Sequence, residues 1–159
     1  MSIKELLKTV YQEDMVTVAS EKASATIFSF PEAKVRVNPD PPLVRALQSR
    51  MNELCALEKG WDGYGGQPVS HHRMSFGANL LGSICSENTP TPSLVPGSDG
   101  TVQIEWHENF CDIELDILDA FEVSVYCHDI KDNIEEEFDL SSDFSALAKW
   151  IQKLEENRA

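Results

Sequence analysis

The stretch that decides the fold is residues 102–140, which read VQIEWHENFCDIELDILDAFEVSVYCHDIKDNIEEEFDL. Apolar and polar residues alternate along it in four runs, and a period of two is typical of β-strands that bury one face. Short turn-forming segments separate the runs, so we expect consecutive antiparallel strands. A turn at Ser98-Asp99-Gly100 follows Leu94 and Val95. Together these features predict an antiparallel meander over residues 94–140.

Segments with helical periodicity precede and follow the predicted sheet along the chain. Apolar residues recur at helical spacing over residues 41–58, after Asp40 as a cap and a proline pair suited to the first turn. Similar stripes predict helices over 70–86, capped by Ser70, and over 143–156. Residues 1–38 predict a helix at 2–12 and short strands at 15–18, 26–30 and 35–37. We therefore expect a single domain over residues 1–159, of α+β class, with a twisted antiparallel sheet and helices packed on one face.

The bulk composition indicates a soluble, cytoplasmic protein of bacterial or phage origin. The 159 residues are 42% hydrophobic and 25% charged, which suffices for a folded core. No apolar run is long enough to span a bilayer, and the first residues lack the pattern of a secretory leader. The four cysteines form no Cys-x-x-Cys pair, so we expect reduced, mostly buried thiols.

The negative charge is concentrated in one part of the chain. The net charge of the whole chain is −14. Residues 104–143 contain fourteen acidic residues and one base, Lys131, so this segment alone carries −13. The rest of the chain is close to neutral.

Alternation predicts where these acidic residues point. If the aliphatic side chains of the strands face the helices, the intervening side chains face water. The exposed set then consists of eight carboxylates: Glu105, Asp112, Glu114, Asp116, Glu122, Glu135, Glu137 and Asp139. Like charges opposite each other across strands are destabilising, which a cationic partner would relieve. One interpretation is a solvated face that maintains solubility; the other is a docking surface for a basic protein. The near absence of Lys and Arg favours docking, because solubilising surfaces usually mix both signs.

A glycine-rich loop, EKGWDGYGGQP at residues 58–68, is the most distinctive string. Trp61 and Tyr64 either plug the end of the sheet, with Asp62 capping a turn, or are exposed anchors for a partner.

The chain contains a characteristic order of features. It runs from this loop to a proline-started helix, the link Thr89-Pro90-Thr91-Pro92, the turn at 98–100, a strand ending QIEW, an acidic meander and a closing helix. In this order they resemble a group of small, uncharacterised bacterial proteins. The resemblance covers residues 55–155 and implies no established activity. Gly65-Gly66 departs from the glycine-alanine pair that the resemblance implies.

Several kinds of chemistry are disfavoured by the sequence. It contains no P-loop and no calcium-binding loop, and no serine or cysteine has the setting of a nucleophile. His71-His72 point in different directions on a helix, and the few basic residues disfavour direct nucleic-acid binding. No cofactor is expected.

The sequence favours a non-catalytic acidic protein-binding module. It would be a neutralising or inhibitory factor, of antitoxin, immunity or anti-defence type, that docks on a basic effector protein. One alternative is a nucleic-acid mimic that blocks a nucleic-acid-binding protein. Another is a metal-dependent hydrolase with a site at Glu105, His107, Asp112 and Glu114. Partner identity and oligomeric state are not encoded in any pattern that we recognise.

Overall fold

The computed structural model describes residues 26–29 and 34–37, as two backbone strands, and residues 41–158 with their side chains. The first strand, β1 (Thr26–Ser29), pairs antiparallel with β2 (Lys34–Val37). These two strands agree with the predictions at 26–30 and 35–37. The predicted helix at 2–12, the strand at 15–18 and the Asp40 cap lie outside the described residues.

Five further strands form the main sheet. They are β3 (Ser93–Pro96), β4 (Val102–Glu108), β5 (Cys111–Asp119), β6 (Glu122–Asp129) and β7 (Ile134–Leu140). Each pairs antiparallel with the next, in the order β3-β4-β5-β6-β7. The predicted meander is therefore confirmed, and with the helices it makes the chain an α+β protein.

The helices within residues 41–158 are α1 (Pro42–Ala46), α2 (Gln48–Cys55), α3 (His71–Ile84) and α4 (Ser145–Glu156). The Ser70 hydroxyl caps α3 by accepting a hydrogen bond from the backbone N–H of Arg73. The prediction of one continuous helix over 41–58 is wrong, because the helix is interrupted at Leu47. The N–H of Leu47 is shared between the carbonyls of Leu43 and Val44, at 3.2 and 3.1 Å, and this bond three residues back tightens the turn.

The core lies between the helices and one face of the main sheet. The predicted inward side chains of β4, β5 and β6 are all at most 1% exposed: Val102, Ile104, Trp106, Ile113, Leu115, Ile117, Val123 and Val125. The indole N–H of Trp106 donates to the carbonyl of Pro90 at 2.8 Å. Leu147, Ile151 and Leu154 of α4 are buried as well. The alternation in the sequence therefore placed the buried face correctly.

The connections fix the strand register. Asn109 and Phe110 form a two-residue hairpin between Glu108 and Cys111, and both have left-handed backbones, with φ of 55° and 60°. This is the geometry of a type I′ turn, whose twist matches that of the strands. Farther along β5, Leu118 is an extra residue, since Ile117 pairs with Val123 and Asp119 with Glu122. This β-bulge ends the regular alternation of β5 after Ile117, and Leu118 and Asp119 are both exposed.

None of the helices within residues 41–158 has both the length and the apolar character needed to cross a membrane.

Candidate functional site: the open face of the sheet

The main sheet has one face that no described helix covers. We call it the open face and define it by the side chains of β4 to β7 that point away from the core: Gln103, Glu105, His107, Asp112, Glu114, Asp116, Ser124, Tyr126, His128, Glu135, Glu137 and Asp139. Seven of these twelve side chains are carboxylates, and none is lysine or arginine. Strand alternation alone produces this separation of charge from the apolar core.

Strand register arranges the open face in three rows across the strands. The first row is Gln103, Asp116, Ser124 and Asp139. The second row is Glu105, Glu114, Tyr126 and Glu137. The third row is His107, Asp112, His128 and Glu135. Strand β6 thus inserts a neutral side chain or a histidine between the acids of β5 and those of β7.

The eight predicted carboxylates are therefore placed as follows. Seven lie on the open face. The eighth, Glu122, lies at the β5–β6 hairpin opposite Asp119, where the bulge ends the regular rows. The repulsion expected from like charges across strands is confined to one pair on the open face, because only Glu105 and Glu114 are directly opposed acids there. Residues of β6 separate the others, which lowers the repulsion within the isolated protein.

Two histidines bracket Asp112 in the third row. Nδ1 of His107 is 3.0 Å from Oδ1 of Asp112, and its Nε2 is 3.4 Å from Oε2 of Glu105. On the other side, Nδ1 of His128 is 3.8 Å from Oδ2 of Asp112, and its Nε2 is 4.0 Å from Oε1 of Glu135. The hydrogen bond with Asp112, and then that with Glu105, raises the pKa of His107. Protonation of His107 partly neutralises this end of the open face.

The carboxylates also influence one another. The pKa of Asp116 is raised, first because partial burial disfavours its charged form and then because Glu105 and Asp99 repel it. The pKa of the Tyr126 hydroxyl is raised by desolvation and by Glu135, Asp112 and Glu114, which surround it on both sides. The open face therefore carries a negative potential that its own side chains do not cancel.

The lysine and arginine ion pairs of the described region lie away from the open face. Lys153 pairs with Asp129, an acid that is 1% exposed and lies on the core side of β6. Arg50 pairs with Glu53 at 2.6 Å. Within residues 41–158, no lysine or arginine forms an ion pair with a carboxylate of the open face.

The structure gives no support to a metal site on these strands. Among the described residues, no group of three or more His, Cys, Asp or Glu side chains is arranged to hold an ion. Glu105 and Asp112 of the expected set instead direct their oxygens at the ring nitrogens of His107. The metal-dependent alternative therefore has no assembled ligand set here.

The cysteine thiols are free, and three of the four are buried. Burial raises the pKa of Cys55, Cys85 and Cys127 to about 12, and it also raises that of Cys111. Because the thiolate is the reactive form, these raised pKa values disfavour a nucleophilic role for the thiols.

The glycine-rich loop is held by Asp62. Its Oδ1 accepts hydrogen bonds from the N–H groups of Tyr64 and Gly66, at 2.9 and 2.8 Å, and these bonds lower its pKa. A Cβ at Gly66 would lie 2.8 Å from the Asp62 carboxylate, so any larger residue would push that carboxylate aside. This contact favours glycine at position 66.

The two aromatic residues of the loop have different environments. The indole N–H of Trp61 donates to the carbonyl of Gln67 at 2.9 Å, and the ring is half-buried. Tyr64 is 96% exposed, so it does not plug the sheet. The N–H of Gln67 donates to the carbonyl of Ser98 at 2.7 Å, which attaches the loop to the β3–β4 hairpin. Tyr64 is thus free to contact a partner, as the anchor hypothesis requires.

Five members of the open face are not carboxylates and were missed as docking residues: Gln103, His107, Ser124, Tyr126 and His128. Ser124, Tyr126 and His128 lie between the carboxylates of β5 and β7. The alternation along β6 already assigns them to this face. Their neighbours across the strands, however, depend on the hairpin register.

A scan of the chain against protein-family models finds no match, and comparisons with curated proteins and with solved structures find none either. The functional argument therefore depends on the geometry of the open face.

Proposed function

We propose that this protein is a non-catalytic protein-binding module that docks its open face on a basic surface of an effector protein. In this role it is a neutralising or inhibitory factor of antitoxin, immunity or anti-defence type. The observation that supports it is the set of seven carboxylates on one face of the sheet, without a lysine or arginine partner in the described region. Such a field accelerates association with a cationic surface and makes binding dependent on salt.

A second candidate is an acidic nucleic-acid mimic. Asp112, Glu114 and Asp116 follow one another at every second residue of β5, and Glu135, Glu137 and Asp139 do the same on β7. Strand geometry spaces such carboxylates by about 6.8 Å along each line and separates the two lines by roughly 9–10 Å. Two regular lines of anions can occupy a groove that otherwise holds phosphates.

Charge reversal on β5 tests the docking surface. The variant Asp112→Lys/Glu114→Lys/Asp116→Lys removes three carboxylates from the centre of the open face. Its matched control, Glu58→Lys/Glu87→Lys/Glu156→Lys, makes the same change in net charge at exposed positions away from this face. We expect the first variant to bind the effector about tenfold or more weakly at low salt, and the control to bind nearly as the unmodified protein does.

The measurement has two stages. Immobilised unmodified protein and both variants are first compared for capture of proteins from the native host, and the captured protein is then purified and titrated. A basic protein retained by the unmodified protein and the control, but not by the β5 variant, supports the proposal. Equal retention by all three contradicts it. Displacement of the complex by an excess of DNA duplex or single strand favours the mimic.

A further inference from the structure

The two edges of the main sheet differ in how they are closed. At one edge, β3 has only four residues and ends at Pro96. The guanidinium of Arg50 also donates two hydrogen bonds, each of 3.2 Å, to the carbonyl of Leu94. A short strand, a proline and a side chain on the backbone together block the addition of another strand.

The other edge, β7, has none of these features. Its seven residues pair with β6 without a register shift, from Asp129 opposite Ile134 to Val123 opposite Leu140. In the part of the chain that the structure describes, no strand pairs with its outer side and no side chain bonds to its backbone. Among the described residues, the outward N–H and C=O groups of β7 thus form a row without backbone partners.

Charge alone protects this edge from copies of itself. Glu135, Glu137 and Asp139 lie on one side of β7 and Glu136 on the other. Edge-to-edge pairing of two copies would bring the acids of the open face against one another, which is unfavourable. A strand with basic side chains would instead be attracted to this edge, because each of its cations would lie beside a carboxylate of β7.

The side of β7 that faces α4 indicates which side chains an added strand would place between its basic residues. Ile134 is 45% exposed and Phe138 is half-buried on the side that faces α4. There the indole N–H of Trp150 donates to Oε2 of Glu136 at 2.8 Å. An added strand would extend this partly apolar side at every second residue, where aliphatic side chains fit better than charged ones.

We propose that the partner supplies an extended segment of alternating basic and apolar residues that adds to β7 as a sixth strand. Its basic side chains join the open face beside Glu135, Glu137 and Asp139, and its apolar side chains continue the side of Ile134 and Phe138. Backbone hydrogen bonds supply affinity, and the alternation supplies specificity. This inference rests on the proposed function and specifies the chemistry of the partner and its mode of docking.

The probe is a seven-residue peptide of alternating lysine and valine, capped at both ends and labelled with a fluorophore. Its control has the same composition in a block of four lysines followed by three valines, so that charge is equal and alternation is lost. Anisotropy titrations at about 0.1 M salt should show the alternating peptide binding about tenfold or more tightly. Amide hydrogen exchange should slow at every second residue of β7 in its complex, because only alternate N–H groups point outward.

Two charge-reversed variants with equal net charge locate the contact. Glu135→Lys/Glu137→Lys/Asp139→Lys should weaken the peptide about three- to hundredfold, the range that three cross-strand charge pairs produce. The β5 variant at Asp112, Glu114 and Asp116 should have little effect on this peptide. Its substitutions lie three strand spacings from the added strand, about 14 Å, which exceeds the screening length of about 10 Å at this salt.

The outcomes separate this inference from the proposed function. Equal affinity of the two peptides, with both variants weakened alike and no added protection in β7, overturns strand addition but leaves docking on the open face in place. Binding that neither variant changes, or no binding of the peptides up to about 1 mM, overturns strand addition as well. In those two cases the effector titration with the β5 variant decides the proposed function separately.

Discussion

Replacing Trp106 tests the assignment of the two sheet faces. This side chain is 1% exposed on β4, and its indole N–H donates to the carbonyl of Pro90. Truncation to alanine removes a buried aromatic ring and leaves a cavity under the helices, so we expect Trp106→Ala to lower the free energy of unfolding by about 3–5 kcal/mol. For a chain of this length that corresponds to a fall in Tm of roughly 6–20 °C. Trp106→Phe keeps most of the ring and loses only the donor and some volume, so we expect a loss of about 1–2 kcal/mol.

Urea unfolding followed by far-ultraviolet circular dichroism is the suitable assay, because it does not depend on the tryptophans themselves. The m-value should stay constant across the series while the midpoint falls. Trp61→Ala is the matched control, since that ring is half-buried in the glycine-rich loop and its loss should cost less. Either of two results would falsify the assignment of the sheet faces. One is a Trp106→Ala variant as stable as the unmodified protein, and the other is a Trp61→Ala variant less stable than the Trp106→Ala variant.

Two further predictions concern pH. Backbone hydrogen bonds from Gly66 and Tyr64 lower the pKa of Asp62, so its stabilising effect is present above the pKa of an unfolded aspartate and is lost as the pH falls through its folded pKa. Asp62→Ala should therefore lack this acid dependence in pH-dependent thermal melts and should speed amide exchange at Gly66; unchanged exchange would argue against the turn. The pKa of His107 is raised, chiefly by Asp112, so its contribution is complete below about pH 6.5 and is lost as the pH rises through its folded pKa. The stability difference between the unmodified protein and His107→Gln should shrink from pH 6 to pH 8, and a constant difference would contradict this origin.

Local periodicity was sufficient to predict the sheet and its two faces. The alternation of Ile113, Leu115 and Ile117 with acids indicates both the strand and the side that it buries, because each choice depends only on neighbours along the chain. The helix over 70–86 was predictable for the same reason, since Ser70 and the apolar stripe that follows it are local signals. The buried Trp106 follows from the same pattern.

Contacts between distant residues could not be predicted in this way. Asp129 belongs to the acidic segment, yet it is buried and pairs with Lys153 from the last helix, a partner that no local pattern reveals. The arrangement of Tyr126 and His128 between carboxylates depends on hairpin register, which fixes neighbours across strands. The interruption at Leu47 was not predicted, because the apolar residues continue at helical spacing through this position. Only the hydrogen-bond geometry shows the tightened turn.

The register of β5 against β4 determines on which side of this protein the charge resides. The two-residue turn of Asn109 and Phe110 leaves Glu108 opposite Cys111, so Cys111 lies on the inner side of β5 and Asp112 on the outer side. A slip of β5 by one residue against β4 would exchange these two sides and direct its acids into the hydrocarbon interior. The aliphatic residues of β5 therefore also hold its carboxylates in place, since the same slip would expose Ile113, Leu115 and Ile117 to water.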